Sequence, residues 1–269
     1  MSLIDYRVEK GVAIFELNDP PANTYTYEMN RELDDCILRA RMDDDVHVIV
    51  LRGAGEKFFS AGANIRMLSE VTPQFKYFFC LHANETMLRL EQTPKLVIAA
   101  LNGHTVGGGL EIALAADIRI ALKGAGKWGL PEVSLGVLPG TGGTQRLSRI
   151  VGKTKSIELM VEGGLHDFEK GLELGVVNYV WPAEEPTQNG VQKWWDRVME
   201  YAWSFCPPNK ASKAVGRIKR AVQTGWELPI ESGLALEREL QQQLFTSDDA
   251  KEGLAAYNDN KRKAQFTGK

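Results

Sequence analysis

The first two thirds of the chain alternate short apolar runs with glycine, proline and asparagine breaks. Tyr6-Arg7-Val8 and Val12-Ala13-Ile14-Phe15 flank Glu9-Lys10-Gly11, which predicts a β-hairpin over residues 4–17. Asn18-Asp19-Pro20-Pro21 ends it. Met29, Leu33, Cys36 and Ile37 then recur at helical spacing, so a helix is expected from about Tyr27 to Met42. Val46 to Leu51 reads as a strand buried on at least one face, closed by Gly53-Ala54-Gly55. Phe58 to Arg66 is rich in small residues and reads as a loop, and a helix from about Thr72 to Leu90 leads to Pro94. Leu96-Val97-Ile98-Ala99-Ala100-Leu101 is a continuous apolar run of the kind found in interior strands. A short helix is expected from about Gly108 to Ala116, a strand over Ile118 to Ala121, and helices after Gly143 and over Lys153 to Glu162. Residues 188–263 look mostly helical, with breaks near Pro207-Pro208 and Pro229. The alternation of strand and helix predicts an α/β layered core over residues 1–185 and a helical C-terminal region over 186–269.

Composition narrows the class. The chain has 269 residues, 43% hydrophobic and 25% charged, with a formal net charge of -3. That mild acidity argues against nucleic acid as the main partner, which usually meets a net basic face. No uncharged apolar stretch approaches about 20 residues, so no membrane span is expected. The N-terminal residues show no basic segment followed by an apolar run. Cys36, Cys80 and Cys206 lie far apart without a CxxC pair, which suits reduced thiols and a cytoplasmic location. The four histidines are dispersed, so no metal site is expected.

Candidate chemistry gathers in three places. Gly107-Gly108-Gly109-Leu110-Glu111 puts three glycines at the start of a helix. Glycine lets backbone approach closely, and the first N–H groups of a helix have no intrahelical partner and point outward at the positive dipole end. Such a helix start suits a developing negative oxygen. Glu111 follows Gly108 by three residues, about one turn, and shares its face. The plain alternative is a tight strand-to-helix turn. A dinucleotide fingerprint would need its third glycine at Ile112, and a P-loop ending at Gly152-Lys153-Thr154 would need one at Leu147. The second place, Ser60-Ala61-Gly62-Ala63-Asn64-Ile65-Arg66, again exposes backbone through small residues. The third holds Leu130-Pro131-Glu132 and then Pro139-Gly140-Thr141-Gly142-Gly143-Thr144. A lone Glu132 would ordinarily be solvated, whereas two carboxylates beside an oxyanion site could share acid and base work.

Taken in order and spacing, Phe59 to Ile65, Asn102-Gly103 to Glu111, Ala116-Asp117, Pro131-Glu132, and Pro139 to Leu147 resemble the enoyl-CoA hydratase/isomerase (crotonase) superfamily, over about residues 4 to 263. The resemblance implies a crotonase-like superhelix of strand-strand-helix units with a C-terminal helical region serving as lid and oligomerisation element. It implies an oxyanion hole made by the Ala63 and Gly108 amides, and catalytic carboxylates at Glu111 and Glu132. By the same resemblance Ala61, Asn64, Ile65 and Arg66 line the path of coenzyme A, Ala22 and Thr24 lie on its adenosine side, and Pro131 and Gly140 border the acyl end. Arg66 suits a phosphate, since a guanidinium offers fixed donors. The implied reaction is hydration of a 2-enoyl-CoA, as in fatty acid β-oxidation, in a homotrimer or hexamer. Coenzyme A enters as part of the substrate and no tightly bound cofactor is implied.

An isomerase, or another acyl-CoA enzyme of the same fold such as a hydrolase or a dehydratase of a cyclic or branched acyl group, stands as the alternative within the fold. A binding protein that kept the fold stands as the alternative outside catalysis. The sequence departs from the family pattern at Asn64, where Asp is frequent, at Tyr25 and Tyr27, which replace small and aliphatic residues, and in a longer link through Lys123-Gly124-Ala125-Gly126. Weaker candidates read as structural: His104 as a packed strand-end residue, Asp117 as an anchor for backbone or an arginine, Trp194, Trp195 and Trp203 as a helix face. Lys210, Lys213, Arg217 and Arg220 fall at helical spacing, as on a solvated face, and the basic run is a weaker candidate for a CoA phosphate across a subunit boundary.

Overall fold

The computed structural model describes residues 2–183 and 188–269. The hairpin forms as expected, with β1 (Ile4–Glu9) antiparallel to β2 (Val12–Leu17). Lys10 and Gly11 both take positive φ between them, the turn whose twist matches that of the flanking strands. Helix α1 (Tyr27–Met42) starts where Thr26 accepts a hydrogen bond from the Met29 N–H, and its buried stripe runs through Met29, Leu33, Ile37 and Ala40. A strand-strand-helix unit then repeats three times. The first holds β3 (Val48–Gly53), β4 (Phe58–Ser60) and, after the short α2 (Ile65–Glu70), the long α3 (Pro73–Gln92). The second holds β5 (Leu96–Leu101), β6 (His104–Val106) and α4 (Gly108–Leu114). The third holds β7 (Ile118–Leu122), β8 (Lys127–Gly129) and, after a 3₁₀ turn at Glu132–Leu135, α5 (Gly143–Val151).

Each unit gives its first strand to one sheet and its second to another. The larger sheet has the order β1-β2-β3-β5-β7-β10, closed by β10 (Tyr179–Trp181), and is parallel apart from the opening hairpin. The smaller has the order β4-β6-β8-β9, ending at β9 (His166–Asp167). Helices α6 (Lys153–Glu162) and α7 (Phe168–Glu173) complete this part. The segment from 58 to 66 is therefore not the plain loop its composition suggests. Phe58–Ser60 pairs with β6, and Asn64 caps α2 by accepting from the Met67 N–H. Three-residue strands are too short to show a period of two, so β4, β6 and β8 leave no signal in the sequence.

Alternation across the larger sheet builds two cores. Phe15, Ile49, Leu51, Val97 and Ala99 point to one side, where α1, α3 and α4 cover them. Ile14, Val48, Val50, Ile98 and Ile120 point to the other, where α8 (Gln188–Trp203) covers them with Trp194, Trp195, Val198 and Met199. Burial of each such aliphatic side chain contributes about 1.5–3 kcal/mol. The tryptophans thus belong to a helix face, and Trp203 donates its indole N–H to the Glu9 carbonyl.

The chain ends in α9 (Ser212–Gly225), α10 (Ile230–Phe245) and α11 (Asp248–Asn258). The expected boundary at residues 185 and 186 lies outside the described residues. Asp117 anchors backbone, its Oδ2 accepting from the Val97 N–H at 2.7 Å, and its charged partner is Lys219 of α9 at 2.9 Å. Among the described residues no helix is long and apolar enough to cross a membrane.

Candidate active site

The spiral brings three distant segments to one cavity of about 260 Å³. The segment after β2 lies alongside the loop after β4. The Ala61 N–H donates to the Ala22 carbonyl, Tyr25 N–H to the Gly62 carbonyl, and Asn64 N–H to the Tyr25 carbonyl. Ala63 sits between the last two as a parallel bridge partner of Tyr25. In that pairing Gly62 and Asn64 spend their polar groups on Tyr25, so the Ala63 N–H faces the opposite way, toward the cavity that Ala63 lines. Gly62, at φ +88, fits its backbone against the start of α4, where an added Cβ would fall 2.7 Å from the Gly108 nitrogen.

Gly107 donates its own N–H to the Gly129 carbonyl and accepts from the Leu110 and Glu111 N–H groups. Gly108 follows as the first helical residue, with no intrahelical acceptor for its N–H. Among the described residues neither the Ala63 nor the Gly108 amide has a hydrogen-bond acceptor, and both residues line the cavity. The glycines serve a purpose the sequence does not show. A Cβ at Gly108 would lie 2.2 Å from Tyr25 Cε1, and one at Gly107 would lie 3.0 Å from Glu132 Oε1. The space freed at these two positions is taken by the chain's own Tyr25 and Glu132.

Glu111 is almost fully buried on α4. Its Oε1 accepts the N–H groups of Thr141 and Gly143, both at 2.7 Å, from the loop that starts α5. Burial pushes its pKa up, while those two amides, the Thr141 hydroxyl and the charge of Arg146 oppose the rise. Arg146 is itself paired with Glu91 at 2.7 Å and donates to the Thr141 carbonyl at 3.1 Å, which fixes that loop. Glu132 stands at the head of the 3₁₀ turn, and among the described residues its buried Oε2 has no hydrogen-bond partner. Its pKa is pushed up to about 7, mainly by loss of solvent and also by the nearby charge of Glu111, against its own backbone N–H and Lys76. Both carboxyls are thus shifted upward, but Glu111 has two amide donors on its Oε1, whereas Glu132, at about 7, is close to half-protonated at neutral pH.

Ile65, Pro131 and Gly140 line the same cavity as Ala61, Ala63, Gly108 and both glutamates. Four expected contacts lie outside it. Ala22 is tied to Ala61 through backbone, Thr24 donates to Asp19 at 2.7 Å, Asn64 caps α2, and Arg66 is exposed beside Glu70. His104 stays structural: its Nδ1 accepts from the Lys127 N–H and its ring lies on Phe58. Lys210, Lys213 and Arg220 are exposed, and Arg217 is half-buried. Lys76, Thr141 and Tyr25 also line the cavity; Thr141 lies inside the Pro139 to Leu147 motif without being singled out by it, and Lys76 lies in no motif. Only Tyr25 carries a sequence signal, as a large polar ring where a small or aliphatic residue is usual.

Residues 7–269 match the family model described as enoyl-CoA hydratase/isomerase. A Bacillus subtilis protein named "Probable enoyl-CoA hydratase" is 34% identical over 269 residues, covering 100% of both chains. The short-chain-enoyl-CoA hydratase of Clostridium acetobutylicum is 35% identical over 255 residues, covering 94% of each. The solved structure of an enoyl-CoA hydratase from Geobacillus kaustophilus superposes with a TM-score of 0.94 at 41% identity, covering 100% of this chain and 98% of the other. The strand-strand-helix superhelix expected from the resemblance is the fold of that structure.

Proposed function

The chain belongs to the enoyl-CoA hydratase/isomerase family, and from that premise we propose that it adds water reversibly across the double bond of a 2-enoyl-CoA thioester. The observation that carries this reading is one cavity in which two backbone amides, without acceptors among the described residues, stand beside two carboxyls held differently, Glu111 by two amides on its Oε1 and Glu132 with its Oε2 unpartnered. The Ala63 and Gly108 amides hold the thioester oxygen and stabilise the enolate that forms on it. Glu111, with its carboxylate fixed by two amides, orients a water molecule and accepts its proton as the hydroxyl bonds to C3. Glu132, protonated at the start, delivers its proton to C2. The proton on Glu111 then returns to Glu132, so each turnover consumes one water and one double bond.

Coenzyme A belongs to the substrate in this scheme. Its pantetheine passes Ala61, Asn64 and Ile65, its adenosine side meets Ala22 and Thr24, and Arg66 and Lys76 offer cations at the mouth. The helices of residues 186–269 act as lid and subunit contact, in a trimer or dimer of trimers working in the cytoplasm on fatty acyl intermediates. Ile218 and Val222 on α9, Trp226 at its C-terminal cap and Ile230 at the start of α10, all more than 60% exposed, supply the apolar surface such a contact needs. A single-chain mass in light scattering would remove the oligomer from this reading.

The deciding experiment adds the enzyme to crotonyl-CoA and follows both the absorbance of the conjugated thioester and the product mass. Hydration bleaches the absorbance and adds one water. A product of unchanged mass would assign an isomerase instead, and free CoA thiol a hydrolase.

A further inference from the structure

Tyr25 is 2% exposed, yet it carries a hydroxyl into the wall of the cavity. Its ring stacks on Phe79 of α3 with centroids 5.7 Å apart and covers the face of Gly108. A phenylalanine would fill this volume and stack in the same way, so packing does not account for the oxygen. That oxygen lies 2.8 Å from Thr141 Oγ1, and Thr141 in turn donates its N–H to Glu111 Oε1 at 2.7 Å.

Proton placement along this line follows from the chemistry of each group. Burial and the charge of Glu111 push the Tyr25 phenol up, so it stays neutral and keeps a proton to donate. An ionised carboxylate offers acceptors alone. With Glu111 ionised, as the hydratase reading requires, the Thr141 hydroxyl accepts from Tyr25 and keeps its own hydrogen for Glu111, whose pKa it lowers. The other titratable groups around the pair are Glu132 on the 3₁₀ turn, Arg146 on α5 held by Glu91, and Cys80 on α3 beside Tyr25.

We propose that Tyr25 is a positioning residue for the addition step, holding and orienting the Glu111 carboxylate through Thr141. The proposal rests on the hydratase reading above. It does not require Tyr25 to touch substrate, and it gives the large polar ring at this position a task within the reaction.

The test is the steady-state kinetics of full-length Tyr25→Phe with crotonyl-CoA between about pH 5 and 9, where both limbs of the profile are visible. The expected result is a fall in kcat of about fivefold to tenfold, the worth of one buried hydrogen bond, with KM within about twofold. The acidic limb of kcat/KM moves to higher pH, because a carboxylate that loses support keeps its proton longer. Thr141→Val moves both quantities the same way, Thr141→Ser restores them, and the double variant is no worse than Thr141→Val alone because the groups act in series. Wild-type kcat and an unmoved acidic limb in Tyr25→Phe overturn the proposal, even if the melting temperature drops. Should that variant not fold, an unmoved limb in Thr141→Val does the same. A wild-type chain that adds no water removes the hydratase reading and this one together, whereas an active wild type with a silent Tyr25→Phe removes this one alone.

Discussion

Glu111 and Glu132 stand in one cavity, yet the two regions that carry them are built in opposite ways. Every residue of α4 is buried, and the Glu111 carboxyl is clamped by two amides from the loop that begins α5. The 3₁₀ turn that carries Glu132 has no buried residue, and Val133, Leu135, Val137 and Leu138 stand 45–67% exposed around it. Both carboxyls are desolvated, but Glu111 takes two amides from another segment, whereas Glu132 has its own backbone N–H and an Oε2 unpartnered among the described residues. In the hydratase reading, this difference lets the same side chain serve as acceptor at one position and as acid at the other, through hydrogen bonds rather than residue type.

The sharpest way to break this contrast is to remove each acid as its amide. Glu132→Gln deletes the proton donor and should lower kcat by about 10²–10⁴. It should also abolish the basic limb near pH 7, where the active protonated form of Glu132 is lost as pH rises. Glu111→Gln should cost a similar factor but keep that limb. The limb moves to lower pH, because the Glu111 charge is one of the causes that raise Glu132. Steady-state profiles of the two variants decide the matter: a basic limb that survives in Glu132→Gln assigns the acid elsewhere. Next in size is Gly108→Ala. Its Cβ would meet the Tyr25 ring at 2.2 Å, so the backbone must shift and carry the amide off line. A loss of about 10²–10³ in kcat is expected, as for removal of one oxyanion donor. Near-normal turnover in a folded Gly108→Ala protein would detach that amide from the reaction.

The same contrast shows what the sequence carries. Long periodic elements are legible: α1, α3 and β5 fall within two residues of where apolar spacing puts them. The glutamates are legible as members of spaced motifs. The short strands are not, because β4, β6 and β8 hold three residues each and exist through pairing with one another. Nor is the difference between the glutamates legible. It depends on Thr141 and Gly143 reaching back across 30 and 32 residues to Glu111, while nothing among the described residues reaches Glu132 Oε2. Asn64 and Arg66 teach the converse. They belong to a strong motif, yet the first spends its side chain capping α2 and the second points to solvent beside Glu70.

Lys76 gives the smallest and most discriminating test of how Glu132 is tuned. Its ammonium lies 5.2 Å from the Phe79 ring and lowers the Glu132 pKa from across the cavity. Lys76→Met keeps the length of the side chain and removes the charge. Glu132 should then titrate above its present value of about 7, and the basic limb of kcat/KM should move up with it. The protonated fraction at pH 8 rises accordingly, so turnover there should increase. The gain stays below about tenfold, since a full pKa unit is worth 1.36 kcal/mol and solvent-reached charges deliver less. Salt should move the wild-type limb upward relative to the variant's, because screening weakens that attraction only where the lysine is present. A limb that falls on removing Lys76, or that responds to salt equally in both proteins, would mean that desolvation and Glu111 alone set the acid.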